Sequence, residues 1–393
     1  MALIIILILL EILTILVLKE HLYRASFRQF YFALSSHIVI SAWLWYVIAA
    51  SVLYRGSFDD PYNIWMHLNM SGMIIAAGIP RLLLCIFHYT GKLISFREGG
   101  HSRRLTGAGF ITAGLLLTVV TLGAFAGRYN FRTEEVTVKI RRLDKNLDGL
   151  RIVHISDLHL GGFHKHRAKI IRVIDEVNRL KPDLIINTGD FVSYGWREFD
   201  GYDTILSDAR SRYGNFAVLG NHDMGTYYPG SSQEEQKAIA SKVRELAEAS
   251  GYIVLSDENM IIEIEGSSVA LTGVETYGRH PDITHGDLRK AAEGTGTAGL
   301  SILLAHDPNQ WRKDVVGKTG IDLTLSGHTH GMQVGIITKR LRWSPSKYFY
   351  PEWGGLFSEG DQYLYVNLGL GVMGVPFRIC MPPEITLITL VAE

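Results

Sequence analysis

The chain is poor in cysteine. Its 393 residues hold two, Cys85 inside an apolar run and Cys380 near the C-terminus, too few for a disulfide framework. It also lacks a surplus of charge. Thirty-nine basic residues face 39 acidic ones, so there is no global positive field and no nucleic-acid partner is expected. Internal repeats and low-complexity segments are absent, which excludes a repeat array. The first apolar run has neither the basic start nor the small-residue cleavage site of a secretory signal, so it reads as a retained helix.

What is abundant is apolar length, and it is concentrated. Residues 1–126 are dominated by long apolar runs, whereas 127–393 alternate apolar and charged stretches as a globular domain does. A membrane-spanning helix needs about 20 mainly apolar residues. About four stretches qualify: Met1 to Leu18, Phe32 to Leu53, Ile64 to Phe87 and Thr106 to Ala126. Trp43, Trp45, Tyr46 and Tyr54 form an aromatic belt on the second, and the third carries His67, Asn69, Pro80 and Arg81. Glu11 and Arg81 are charges at membrane depth, either paired between helices or relieved by reaching the interface. Basic residues mark the first loop (Lys19, Arg24, Arg28) and the third (Lys92, Arg97, Arg103, Arg104), while the second has only Arg55. The positive-inside tendency then puts loops one and three in the cytoplasm and the C-terminal domain outside a bacterial plasma membrane. Ser102-Arg103-Arg104 before the fourth run also looks like a degenerate twin-arginine export signal. Arg128, Arg132, Lys139, Arg141 and Arg142 pull the other way.

Residues 127–149 read as a connector containing a strand of period two, Glu135 to Ile140. From residue 150 onward, strand and helix signals alternate, which argues a layered α/β domain over 150–393. Five of its apolar strands run into segments rich in metal-ligand residues. These are Asp157-Leu-His159, Gly189-Asp190, Gly220-Asn221-His222-Asp223, Ala305-His306-Asp307 and Gly327-His328-Thr-His330. Ligands gather beyond the carboxyl ends of strands in such folds, so five loops would converge on one edge. In an extended stretch, residues two apart share a side, so Asp157 with His159, and His328 with His330, could each address one site. The glycines before Asp190, Asn221 and His328 allow tight turns and close backbone approach. Carboxylate, imidazole and amide oxygen together suit Mn, Fe or Zn better than Ca or Mg. The number of ligands exceeds one ion's needs and fits two divalent ions about 3.5–4 Å apart, bridged by a carboxylate.

In these five blocks the chain resembles the calcineurin-like metallophosphoesterase superfamily. The likeness covers about residues 150–393 and is nearest to the bacterial membrane-associated or exported branch. That branch is similar in its Gly149-Leu-Arg-Ile-Val-His-Ile-Ser-Asp-Leu-His159 opening and its Pro376-Phe-Arg-Ile and Pro383-Glu-Ile tail. The resemblance implies a four-layer α-β-β-α sandwich. It implies one metal on Asp157, His159 and His330, the other on Asn221, His306 and His328, and Asp190 bridging them. His222 would face the substrate as general acid, with Asp223 orienting it, while a two-metal-activated hydroxide attacks phosphorus. Ser/Thr phosphatases of the superfamily continue the second block as Gly-Asp-x-Val-Asp-Arg-Gly. Here it is Gly189-Asp-Phe-Val-Ser-Tyr-Gly195, without the phosphate-clamping Arg, which argues against phosphoprotein substrates.

The expected partner is therefore a phosphate ester (monoester, diester or pyrophosphate), lipid-linked or from the cell envelope, next to membrane lipid. Two other readings compete. One is a lipid pyrophosphatase of the UDP-diacylglucosamine type, which requires a cytoplasmic site. The other is a metal- or ligand-binding membrane sensor without turnover, against which the intact ligand blocks speak. His154 is expected to be an ordinary strand residue, and His164 and His166 to begin a helix and face solvent. Arg378 reads either as a phosphate contact or as a structural salt bridge, and Asn367 as a bare candidate. The aromatic-rich 343–357 is expected mainly as packed core.

Overall fold

A computed structural model describes residues 2–23, 25–95, 102–338 and 340–393. Met1, Arg24 and Arg97 of the span and charge reading lie outside the described residues. The chain divides into two compact units. One comprises Met1–Arg55, Met66–Ala126 and Gly374–Phe377; the other comprises Gly56–Trp65, Gly127–Met373 and Arg378–Glu393.

The first unit is built on helices α1 (Ala2–Leu18), α2 (Phe27–Leu53), α3 (Pro61–Ile94) and α4 (Arg103–Phe125). All four are long and apolar enough to cross a membrane. The third extends beyond its apolar run at both ends, and Pro80 lies inside it without ending it. Leu7, Leu44 and Ala77 pack together, as do Val17, Leu84 and Cys85. Ile4, Leu9, Val39, Ile111 and Leu115 remain exposed, which suits contact with lipid. Glu11 and Arg81 are paired: Arg81 Nη1 lies 2.8 Å from Glu11 Oε1. Ser41 Oγ donates to Glu11 at 2.6 Å and accepts from Arg81 Nη2 at 2.8 Å, and His37 Nε2 is 2.9 Å from Glu11. The costly charges thus satisfy one another between helices rather than reaching for the interface.

The second unit holds β1 (Arg132–Ile140), β2 (Arg151–Ile155), α5 (Arg167–Arg179), β3 (Leu184–Asn187), α6 (Tyr202–Leu206), β4 (Asn215–Ala217), α7 (Gln233–Ala249) and β5 (Tyr252–Val254). There follow β6 (Glu258–Ile264), β7 (Ser267–Val274), the hairpin β8 (Thr276–Tyr277) and β9 (Thr284–His285), β10 (Leu300–Ala305) and β11 (Leu323–Ser326). A second hairpin, β12 (Ile336–Ile337) and β13 (Arg342–Trp343), precedes β14 (Gly355–Glu359), β15 (Gln362–Val366) and β16 (Glu384–Ala392). Two six-stranded sheets result, ordered β1-β16-β2-β3-β4-β5 and β14-β15-β11-β10-β7-β6. Strands β2 to β5 are mutually parallel, as are β15, β11, β10 and β7.

Period-two alternation assigns the faces. Ile152, Leu184, Ile186, Phe216, Leu271, Ile302, Leu304 and Leu325 meet between the sheets. The alternate residues Val153, Ile155 and Ile185 turn out against Ile170, Val173, Ile174 and Val177 of α5 and Val243 of α7. On the other outer face, Leu303 and Leu364 pack on Leu288, Trp311 and Val315. That fourth layer is thin, since its helical pieces are only four and five residues long. Strands buried on both faces explain why their sequences are continuous apolar runs.

Candidate metal centre

The five ligand segments follow β2, β3, β4, β10 and β11, so their loops gather at the carboxyl edges of both sheets. The backbone there is not extended, contrary to the spacing argument. Asp157 (φ 52°), His159 (φ 44°), Asp190 (φ 57°), His328 (φ 71°) and His330 (φ 49°) are all left-handed. Non-glycine residues in that region are strained by about 1–2 kcal/mol each, and such strain clusters at functional sites. Its effect is to part His328 from His330. His330 joins Asp157 and His159, whereas His328 joins Asp190 and His306. Within each group of three the donor atoms lie within 4.8 Å of one another. Asp190 reaches both: its Oδ2 is 3.1 Å from His306 Nε2 and 3.7 Å from His159 Nε2.

Close backbone approach is what the glycines permit. A Cβ on Gly327 would stand 2.3 Å from Asp157 Oδ2, and one on Gly220 would stand 2.2 Å from Asp190 Oδ1. The His328 N–H donates to Asp157 Oδ2 at 3.0 Å, and the His222 N–H donates to Asp190 Oδ1 at 3.0 Å. Each carboxylate therefore ties together two blocks that are distant in sequence.

The donor chemistry fits a pair of cations. His306 Nδ1 is 2.6 Å from the Thr188 carbonyl and must donate to it. A neutral His306 then aims the bare Nε2 lone pair at the Asp190 carboxylate and at His328 Nδ1, 3.2 Å away. Acceptors so placed need a positive charge among them, either a proton or a metal. Burial opposes charge on His306, yet Asp190 overrides it and pushes the ring up to about 10. Burial likewise disfavours ionised Asp190, but the His306 and His222 rings hold its carboxyl well below the usual range. Burial and His306 push His328 down to about 4, and burial keeps His159 neutral despite Asp190. Asn221 Oδ1 is buried without a hydrogen-bond partner, while its Nδ2 donates to Tyr227 Oη at 3.2 Å. An orphaned buried amide oxygen beside such a cluster fits the donor chemistry of a divalent cation.

Residues 150–332 match the family model described as calcineurin-like phosphoesterase. A Danio rerio protein named "Transmembrane protein with metallophosphoesterase domain" is 30% identical over 310 residues, which is 76% of this chain and 67% of that one. The chain belongs to the calcineurin-like phosphoesterases. It is a membrane-helix-bearing phosphoester hydrolase. The Bacillus subtilis metallophosphoesterase YkuE is 29% identical over 66% of this chain and 85% of its own. A Helicobacter pylori metallophosphoesterase is 26% identical over 364 residues, 90% of each chain.

In this phosphoesterase His222 is 7% exposed, and its Nδ1 donates to the Ser193 carbonyl at 2.7 Å. Asp223 does not orient it. The Asp223 carboxylate instead accepts the N–H groups of Asp190, Val192 and Gly220, clamping the second block to the third. Burial and the Asp190 charge push this carboxyl up, against those three donors. The expectation of a catalytic Asp223 is thus corrected to a structural one, because its oxygens are already engaged by backbone.

Several site residues escaped the sequence reading. Ser193 touches two: its carbonyl holds His222, and its Oγ is 3.1 Å from His159 Nδ1. Tyr227 stacks on His222 with centroids 3.8 Å apart at 17°. Tyr350 Oη lies 2.8 Å from His328 Nε2. Buried Glu198 collects the N–H groups of Ser193, Tyr194, Gly195 and Gly161. Only Tyr350 carried a signal, in the aromatic-rich 343–357. That segment divides: Tyr350 and Trp353 pack on Leu368 and Met381, while Tyr348 and Phe349 stay exposed.

The other candidates are structural. Arg378 is buried, donates to the carbonyls of Leu368, Gly369, Gly371 and Met381, lies 3.2 Å from His330 Nδ1 through Nη2, and forms no salt bridge among the described residues. Burial lowers its guanidinium to about 9. Asn367 holds the His154 carbonyl, Thr386 Oγ1 and the Gly369 N–H. His154 lies in β2, bonds Thr188 Oγ1 at 2.9 Å and is kept neutral by burial, down to about 3. His164 and His166 do not face solvent as expected: they precede α5 and are half-buried against the rings of Tyr62 and Tyr129.

Proposed function

We propose that the protein is a membrane-anchored phosphoesterase with two divalent ions, acting on a lipid-linked or cell-envelope phosphate ester. Asp157, His159 and His330 would hold one ion, Asn221, His306 and His328 the other, and Asp190 both. The observation that carries this reading is the position of Asp190 Oδ2 within 3.7 Å of an imidazole nitrogen from each group. When bound, such an ion pair supplies an activated water and neutralises charge on phosphoryl oxygens. The chain's own residues do the rest. His222 donates its Nδ1–H to the Ser193 carbonyl, so only its imidazolium form carries a second proton, on Nε2, to give to the leaving oxygen. Burial disfavours that form, and the Asp190 charge and the Ser193 carbonyl favour it. Tyr227 fixes the plane of that ring by stacking. Buried surroundings keep these charges effective.

The test is metal add-back. Protein purified in detergent and stripped with chelator should have negligible activity on bis-p-nitrophenyl phosphate. Mn, Zn or Fe(II) should restore it at least about tenfold better than Mg, as the imidazole-rich donor set requires. Binding of two ions without turnover on any ester would instead favour the sensor.

We place the domain on the extracytoplasmic side, from the basic first and third loops. Cys380 is an exposed thiol of the second unit, and Cys85 is buried in a membrane helix. A membrane-impermeant maleimide should therefore label intact cells at Cys380, and Cys380→Ser should abolish that labelling. Labelling only after lysis would put the site in the cytoplasm and revive the nucleotide-lipid pyrophosphatase.

A further inference from the structure

Residues 56–65, the end of the link after α2 together with the first turn of α3, pack with the phosphoesterase unit. With four spans, this connection and the domain after α4 fall on one side of the bilayer by parity. Its contacts are specific. Asp59 is completely buried. Its carboxylate accepts the Arg197 N–H at 3.2 Å, the Arg197 guanidinium at 3.3 Å and the Ser57 hydroxyl at 2.5 Å. Ser57 Oγ is also 3.2 Å from Tyr228 Oη. Phe58 stands edge-on to Tyr194, with centroids 4.8 Å apart at 90°. Asn63 Nδ2 donates to the carbonyls of Ser57 and Phe58, which holds the connection in shape.

These contacts converge on the turn from Ser193 to Glu198. Gly195 is pressed so closely that a Cβ there would meet Asp59 Oδ2 at 2.5 Å. From within, Glu198 accepts three successive N–H groups of the same turn. The turn is thus gripped from both sides, and its first residue holds the catalytic rings. The Ser193 carbonyl fixes His222 Nδ1, and Ser193 Oγ meets His159 Nδ1. Tyr227 on His222 and Tyr228 on Ser57 are chain neighbours, which gives a second route from the connection to the same ring. Glu198 takes the N–H groups of Ser193, Tyr194 and Gly195, and Asp59 takes the Arg197 N–H that Glu198 leaves, so the two carboxylates fix the turn together.

We infer that Ser57 to Asp59 is a positioning element of the catalytic centre, acting through Tyr194 and Arg197 on Ser193 and so on His222. Resting on the two-ion reading above, it makes turnover dependent on a piece of the membrane-helix region. The test uses the full-length protein in detergent with Mn, comparing Asp59→Ala, Phe58→Ala and Phe58→Tyr. Substrates are bis-p-nitrophenyl phosphate and diphenyl phosphate, whose leaving oxygen is more basic and needs the proton more. In Asp59→Ala and Phe58→Ala, kcat on diphenyl phosphate should fall by about 10- to 100-fold, the scale of a small misplacement of a catalytic group, and much less on bis-p-nitrophenyl phosphate. KM should change less than about twofold, two ions should remain bound, and Phe58→Tyr should restore most of the rate. If Asp59→Ala does not accumulate, Phe58→Ala decides by the same criteria. Unchanged kcat in an otherwise active protein, or equal loss on both esters with loss of metal, overturns this inference alone. No turnover in the unaltered protein with any metal overturns the two-ion reading along with it.

Discussion

Asp190→Ala is expected to release both metal ions and to lower kcat/KM by at least about 10³-fold, or about 4 kcal/mol in the barrier. One atom accounts for the double loss. Asp190 Oδ2 is the contact shared by the His159 and His306 groups, while Oδ1 anchors the His222 N–H. Removing the carboxylate also leaves His306 buried with no counter-charge for its Nε2. A second-sphere change ordinarily costs 10- to 100-fold in metal affinity, and a shared ligand should exceed that for each ion. Metal content by mass spectrometry and initial rates read the outcome together. Retention of two ions by the variant would falsify the shared-ligand assignment, whatever happened to the rate.

His222→Ala should separate chemistry from metal binding. Both ions stay, because the ring's partners are the Ser193 carbonyl and the face of Tyr227. Turnover on esters with a basic leaving oxygen should drop about 10²–10⁴-fold, the usual contribution of a general acid. The drop on p-nitrophenyl esters should be much smaller, since p-nitrophenolate leaves without a proton. Parallel losses on both kinds of ester would instead give His222 an electrostatic role on the phosphoryl group. The two variants therefore make a pair: Asp190→Ala fails at assembly, and His222→Ala fails at bond breaking.

Much of this site was legible because ligand residues and strand ends coincide in sequence. Strands buried on both faces leave apolar runs that are easy to bound, and Asp157, Asp190, Asn221, His306 and His328 follow such runs at once. The partition of His328 from His330 could not come from spacing, because an alternation rule assumes extended backbone and both residues are left-handed. Asp223 was misjudged for a related reason. Adjacency to His222 suggested a side-chain contact, whereas three backbone N–H groups compete for the carboxylate and win. Ser193 acts partly through its main-chain oxygen, which residue type does not reveal. Tyr227 and Asp59 depend on contacts across loops distant in sequence, and no local pattern marks them. The strand β14 was hidden because much of it is exposed and it follows an aromatic stretch.

The register of β16 sets a timetable for the molecule. This strand lies between β1 and β2, parallel to the first and antiparallel to the second. Until Glu384–Ala392 has been synthesised, β1 has no neighbour in its sheet, although it emerges about 240 residues earlier. At ordinary elongation rates that interval is on the order of 10–50 s. The four apolar helices are made before β1 and can insert while the domain behind them is still an open chain. The ligand loops of all five blocks also emerge within that interval, so the sheet that carries three of them closes only after every ligand has been made.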